Sequence, residues 1–250
     1  MSLKVGEISF ANFLPLAAKG AEYPFECAVT TALPSALNNA CRRGEFDISP
    51  ISFYAYPAIE KDYALLPNFC IASDGEVMSV KLFSKFDIAE LASKKIYLTP
   101  DSESSIGAFC AVCKKRYGYN PRDFAHANAD EADALFLIGD KALAFDKPAN
   151  HVYDLGVLWK ETFGIPLVFA AIAIKREIFE KYKNTLADFY DANLKEFYAR
   201  KDFYCESAVR ALASETFKIA DAQKYFDRLT YKISDAAFAS SRAILHGKAD

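Results

Sequence analysis

Residues 132–143 read ADALFLIGDKAL, and this stretch decides the fold class. The apolar run at 134–138 has the pattern of a buried strand. It stops on Gly139, which frees the backbone to turn, and presents Asp140 at the carboxyl end of the strand. In open α/β sheets that edge is where ligands bind.

Outward from this strand, extended segments are expected at 5–10, 27–31, 46–51, 63–71, 77–84, 95–98, 151–155 and 167–174. Helices are expected at 35–43 before Gly44, at 106–117 before Gly118, and at 159–163 before the break Gly164-Ile165-Pro166. From Arg176 onward apolar residues recur at helical spacing with charges between them. Strands alternating with helices predict an α/β protein with mainly parallel sheet. There are too many such units for one small lobe, and no Pro/Gly-rich linker divides the chain. Two lobes joined by extended crossovers are therefore expected. Lobe I takes both termini, 1–80 plus 171–250; lobe II is the central 81–170.

A chain of 250 residues with 52% hydrophobic content can bury a large core. The net charge of −3 and the lack of a basic stripe argue against nucleic-acid binding. The longest apolar run, 165–174, is too short to span a bilayer and contains Pro166, so no membrane partner is expected. No secretory signal precedes the first strand, and six scattered cysteines do not form a disulfide framework, which points to the cytoplasm. Cys110 and Cys113 form C-x-x-C inside a helical pattern, with no second pair to complete a zinc site.

Several residues could carry chemistry, and each also has a plainer structural role. Hydroxyls in Thr99-Pro100-Asp101-Ser102-Glu103-Ser104-Ser105 stand where a helix begins and suit a carboxylate or phosphate, or simply cap the helix. Ser79 lies in an alternating strand, where a small residue is also just tolerated. Asn12 falls in the first strand-to-helix turn, where an Asx-turn is the default. Asp140 could equally be a cap or an ion-pair partner. His126, His151 and His246 fall in no recognisable motif, and nucleotide-binding glycine fingerprints are absent.

Together these segments resemble one family. VGEISFANFLPL (5–16) is similar to its opening N-x-x-P-L, RRGEFDISPISFYAYP (42–57) to its G-E-x-D-x-x-x-x-S block, and LPNFCIASDGEVMSVKLFS (66–84) to G-x-V-x-S-V-x-L-x-S. LTPDSESSIGAF (98–109) is similar to S-x-T-S, ADALFLIGDKAL to L-I-G-D-x-A-L, and VYDLGVLWKETFGIPLVFA (152–170) to D-L-G-x-x-W followed by G-L-P-x-V-F-A. YFDRLTYKIS (225–234) is similar to Y-F-x-x-L-x-Y. The family is the menaquinone-biosynthesis chorismate dehydratase of the futalosine route.

The resemblance implies a two-lobed, periplasmic-binding-protein-like (type II) fold with a ligand cleft between the lobes. It implies loss of water from chorismate to give 3-[(1-carboxyvinyl)oxy]benzoate, with no cofactor and with a small anionic molecule, chorismate, as substrate. By the same resemblance Asn12 is the catalytic residue, and Ser52, Ser79, Ser104, Ser105 and Asp140 bind substrate. Ser104 stands for a family threonine, Lys81 for an aliphatic residue, Phe163 for a threonine and Ile172 for a tryptophan. The last two are expected to reshape the pocket wall. Two rival readings share the fold: a non-catalytic solute-binding protein, and the sibling 1,4-dihydroxy-6-naphthoate synthase, which uses a histidine in the second lobe.

Overall fold

The chain builds two mixed sheets, described by a computed structural model for residues 2–18 and 22–247. The elements run β1 (Leu3–Ile8), β2 (Cys27–Ala32), α1 (Pro34–Arg42), β3 (Ile48–Ser52), β4 (Tyr63–Ser73), β5 (Val80–Ser84), β6 (Ile96–Leu98), α2 (Glu103–Tyr117), β7 (Ala134–Ile138), α3 (Gly139–Leu143), β8 (His151–Asp154), α4 (Leu155–Phe163), β9 (Leu167–Lys175), α5 (Arg176–Ala199), α6 (Lys201–Leu212), α7 (Ile219–Arg228), β10 (Leu229–Lys232) and α8 (Asp235–Leu245). A 3-10 helix, Ala11–Leu16, follows β1.

One sheet has the order β10-β4-β9-β3-β1-β2, and the other β6-β7-β5-β8. The expectation of mainly parallel sheet is wrong. Only β1 with β2, β1 with β3, and β6 with β7 pair parallel. The reason is the route of the chain. It leaves the six-stranded sheet at the end of β4 and re-enters it in β9, and these neighbours pair antiparallel with Ser73 opposite Leu167. Both crossovers therefore leave the sheet at one edge. β10, an edge strand hidden in the helical C-terminal pattern, pairs antiparallel with β4.

Burial follows the sequence pattern. The first eight residues of β9 are all buried, as expected of a strand flanked by two others and covered on both faces. The α5 helix lays Leu186, Phe189, Tyr190, Leu194 and Phe197 inward at helical spacing. One core runs from Val5 and Ile48 in the first sheet to Phe136 in the second, whose ring stacks on Phe109 of α2 at 4.6 Å. Cys110 and Cys113 lie inside α2, and the six cysteines are free thiols.

The outgoing crossover is not the continuous strand expected at 77–84, because β5 starts only at Val80. Before it, Gly75 and Met78 take φ of 119° and 63°. Asp154, the N-cap of α4, holds this irregular segment. Its carboxylate accepts the N–H groups of Val77 (3.0 Å) and Met78 (2.7 Å) as well as those of Gly156 (2.9 Å) and Val157 (3.2 Å) on its own helix. Burial pushes its pKa up, opposed by these N–H bonds.

Candidate functional site

The ends of β1, β3 and β7, the outgoing crossover and the N-terminus of α2 converge on a small cavity between the sheets. Asn12, Ser52, Ser79, Ser102, Ser105 and Gly139 line it, with Ile8, Phe169 and Leu229 among its apolar walls. Its volume is about 40 Å³. Roughly 10–15 Å³ of such space holds one water, whereas pockets for organic ligands run to roughly 300–1,000 Å³. A larger open groove of about 1220 Å³ runs along Gly107, Ala111 and Lys114 of α2 to the end of α8. The hydroxyls, the amide and the free helix end nonetheless meet in the smaller space, which is where chemistry is best supported.

Asn12 sits in the 3-10 turn after β1, and its Oδ1 is buried with no hydrogen-bond partner. Burying an acceptor unpaired is costly, so this oxygen is held ready for something the cavity admits. Ser79 ends the crossover, and its hydroxyl interacts with that of the fully buried Tyr225, whose pKa burial drives up. Ser102 caps α2, accepting the Ser105 N–H at 3.3 Å, and the two hydroxyls lie 3.1 Å apart. The capping role of Ser102 and its place on the cavity thus coexist.

Ser52, at the end of β3, and Ser104, in the first turn of α2, clasp the first sheet to that helix. Their hydroxyls are 2.7 Å apart, the Ser104 N–H donates to Ser52 Oγ at 2.7 Å, and the Tyr54 N–H donates to Ser104 Oγ at 3.0 Å. Ser104 is fully buried behind this contact and is not part of the cavity lining. Asn38 extends the clasp: its Oδ1 accepts the Ser52 N–H (2.8 Å) and its Nδ2 donates to Glu103 (3.1 Å), which also pairs with Arg42 at 2.6 Å.

Asp140, in the first turn of α3, is not part of the cavity lining; it lines a neighbouring cavity of about 300 Å³ with Glu7, Ser9 and Thr31. It accepts the Ala11 N–H at 3.4 Å, one residue before Asn12, and burial raises its pKa. Phe163 packs on Trp159 at 4.5 Å, and Ile172 is buried opposite Pro50. Neither lines the cavity, so the expected reshaping of its wall by these two residues is absent; the wall is formed by Phe169 and Ala170, which match the V-F-A block. His126 bonds Glu131 at 3.3 Å, and His151 stacks on Tyr153 at the edge strand β8; both lie outside the cavity lining.

Asn38, Asp154, Tyr225 and Tyr231 escaped sequence reasoning as site residues. The two tyrosines were within reach, since both stand in the Y-F-x-x-L-x-Y segment. Asn38 carries no such signal.

The lining holds no Lys or Arg, so an anion entering it would meet four serine hydroxyls and the positive end of the 15-residue α2 rather than a cation. No group of three or more His, Cys, Asp or Glu able to hold a metal is found among the described residues. No helix among them is long and apolar enough to cross a membrane.

Comparison with known proteins identifies the family and the fold. The family model for menaquinone biosynthesis matches residues 3–246. The chorismate dehydratase of Thermus thermophilus is 32% identical over 170 residues, which span 60% of this chain and 62% of that protein's length. Among solved structures, protein AF1704 from Archaeoglobus fulgidus superposes with a TM-score of 0.75 at 16% identity, covering 99% of this chain and 97% of the other. The periplasmic aliphatic sulphonate binding protein SsuA from Escherichia coli gives 0.69 at 14% identity, covering 99% and 91%. The Candida albicans CA3427 product, which has the generic periplasmic binding protein fold, gives 0.68 at 13%, covering 99% and 90%. The two-lobed, periplasmic-binding-protein-like fold is therefore the fold of this chain.

Proposed function

The chain belongs to the menaquinone-biosynthesis family, and from that premise we propose that it is a chorismate dehydratase, a hydro-lyase that forms 3-[(1-carboxyvinyl)oxy]benzoate. The observation that carries the reading is the buried, unpartnered Asn12 Oδ1 beside a ring of hydroxyls at a helix N-terminus. A fold shared with solute-binding proteins does not by itself separate binder from enzyme.

Chorismate is a dianion that loses its C3 proton and C4 hydroxyl as the ring becomes aromatic. The ring carboxylate is conjugated to C3 and spreads the charge left when that proton departs, so the chemistry asks for no metal or nucleotide. Ser102, Ser105 and the N-terminus of α2 hold one carboxylate and Ser79 steadies the other, as preorganised donors do. Asn12 orients the substrate for proton transfer. An amide is a poor base, so the side-chain carboxylate of chorismate itself takes the C3 proton. The C4–O bond then breaks and the departing hydroxide, with a proton, leaves as water.

The cavity is too small for this substrate, so the lobes part at the Ser52–Ser104 clasp to admit it and close again to exclude water. The sibling synthase reading loses its support, because His126 and His151 stand away from the cavity. Free thiols and an anionic metabolite suit action in the cytoplasm.

Incubation with chorismate, followed by proton NMR of the ring, tests the proposal. Protein-dependent aromatic signals with the enolpyruvyl group retained are expected. Unchanged chorismate with folded protein refutes the dehydratase, and saturable binding without turnover then favours the solute-binding reading.

A further inference from the structure

Asn12 lies in a 3-10 helix, where each carbonyl is paired with the N–H three residues on. For Asn12 that residue is Pro15, which has no N–H. The hydroxyl of Tyr231 takes the role instead and donates to the Asn12 main-chain oxygen at 2.9 Å. Tyr231 is 3% exposed and belongs to β10, where the register against β4 slips between Thr230, opposite Ala72, and Lys232, opposite Phe69. The extra residue lies on β4, where Cys70 and Ile71 together oppose Tyr231; such a bulge increases the local twist, and the Tyr231 hydroxyl leaves the ladder for the turn after β1.

From this we infer that Tyr231 is a positioning residue for Asn12: the N-x-x-P turn and the L-x-Y strand form one device that aims the Asn12 amide into the cleft. The Asn12 Oδ1 has no partner of its own, so its direction depends on how the main chain around it is anchored. Two anchors are present, Tyr231 at the Asn12 carbonyl and Asp140 at the preceding N–H. Pro15 gives up a local hydrogen bond, and the hydroxyl that replaces it arrives from a strand 219 residues away. The turn is thereby tied to the sheet that carries the cavity wall residue Leu229.

The catalytic consequence rests on the dehydratase reading, but the positioning itself does not. With chorismate as substrate, Tyr231→Phe is expected to lower kcat about tenfold or more, as small misplacements of catalytic groups do, with KM within about twofold. In an Asn12→Ala background the same substitution has no further effect on kcat. Pro15→Ala, which returns an N–H to the turn, recovers part of the loss and serves if Tyr231→Phe alone folds poorly. Independently of turnover, the side-chain amide NMR signals of Asn12, identified by their loss in Asn12→Ala, shift in Tyr231→Phe. If wild-type protein leaves chorismate unchanged, the functional reading falls and the amide signals alone decide the positioning. Unmoved amide signals, or an equal slowing of wild type and Asn12→Ala by the tyrosine substitution, overturn the inference.

Discussion

Gly156→Ala should do more damage than any other single methyl group added near the cleft. A Cβ at this position would stand 2.0 Å from the carbonyl oxygen of Gly75 and 2.9 Å from Ser73 Oγ. Real Cβ contacts do not fall below 3.0 Å, so the backbone at Gly75 must retreat by about 1 Å. Overpacking of this kind costs about 1–3 kcal/mol. The retreat also strains the N–H bonds that Val77 and Met78 donate to the buried Asp154, and orphaning buried polar groups adds about 1–3 kcal/mol. A total of about 2–6 kcal/mol compares with a stability of roughly 5–15 kcal/mol for a whole domain. With a urea m-value near 3 kcal/mol/M, the midpoint drops by about 0.7–2 M. Ser79 follows Met78, so the affinity for chorismate falls as well. Gly107→Ala is the control: its Cβ meets the ring of the half-buried Tyr54 at 2.6 Å, and a side chain yields more easily than a carbonyl. Urea unfolding followed by circular dichroism reads both variants. A Gly156→Ala midpoint within about 0.2 M of wild type would show that the crossover is not pinned as described.

Three further outcomes follow from the site. Asn12→Ala removes a buried, unpaired oxygen, so its melting temperature should equal or exceed wild type while chorismate turnover falls roughly 10²–10⁴-fold; calorimetry and the NMR assay measure the two separately. Ser52→Ala leaves the buried Ser104 N–H without its acceptor and should cost about 1–3 kcal/mol in urea unfolding. Asp140→Asn concerns pH. Burial raises the folded-state pKa of Asp140 above 3.8, so its contribution to stability is full below that value and is lost as pH rises through the raised one. Asparagine still offers an oxygen to the Ala11 N–H, so the variant should melt higher than wild type at pH 7. That gain should disappear as the pH falls below 3.8; melting curves across pH check it.

Local rules account for what the sequence made legible. The strand at Ala134–Ile138 is written in an unbroken apolar run, and α2 and α4 end where Gly118 and Gly164 take the left-handed backbone. Ser102 capped its helix as its type predicts. The resemblance of the motifs also brought Asn12, Ser52, Ser79 and Ser105 to one cavity before any contact was known.

Only the tertiary structure decided how those pieces meet. Antiparallel pairing of β4 with β9 depends on where the chain leaves and rejoins the sheet, which no local window contains. β10 reads as more helix because its four residues are too few for an alternation, and the edge of β4 draws them into the ladder. Ser104 turned from ligand contact to clasp because Ser52, 52 residues earlier, reaches it first. Asp140 anchors the turn of Asn12 rather than the cavity because Gly139, at φ 58°, directs the chain that way. Tyr231 meets Asn12 across 219 residues. Helix stops and buried strands are properties of neighbours in sequence; the anchoring of the Asn12 turn belongs to neighbours in space.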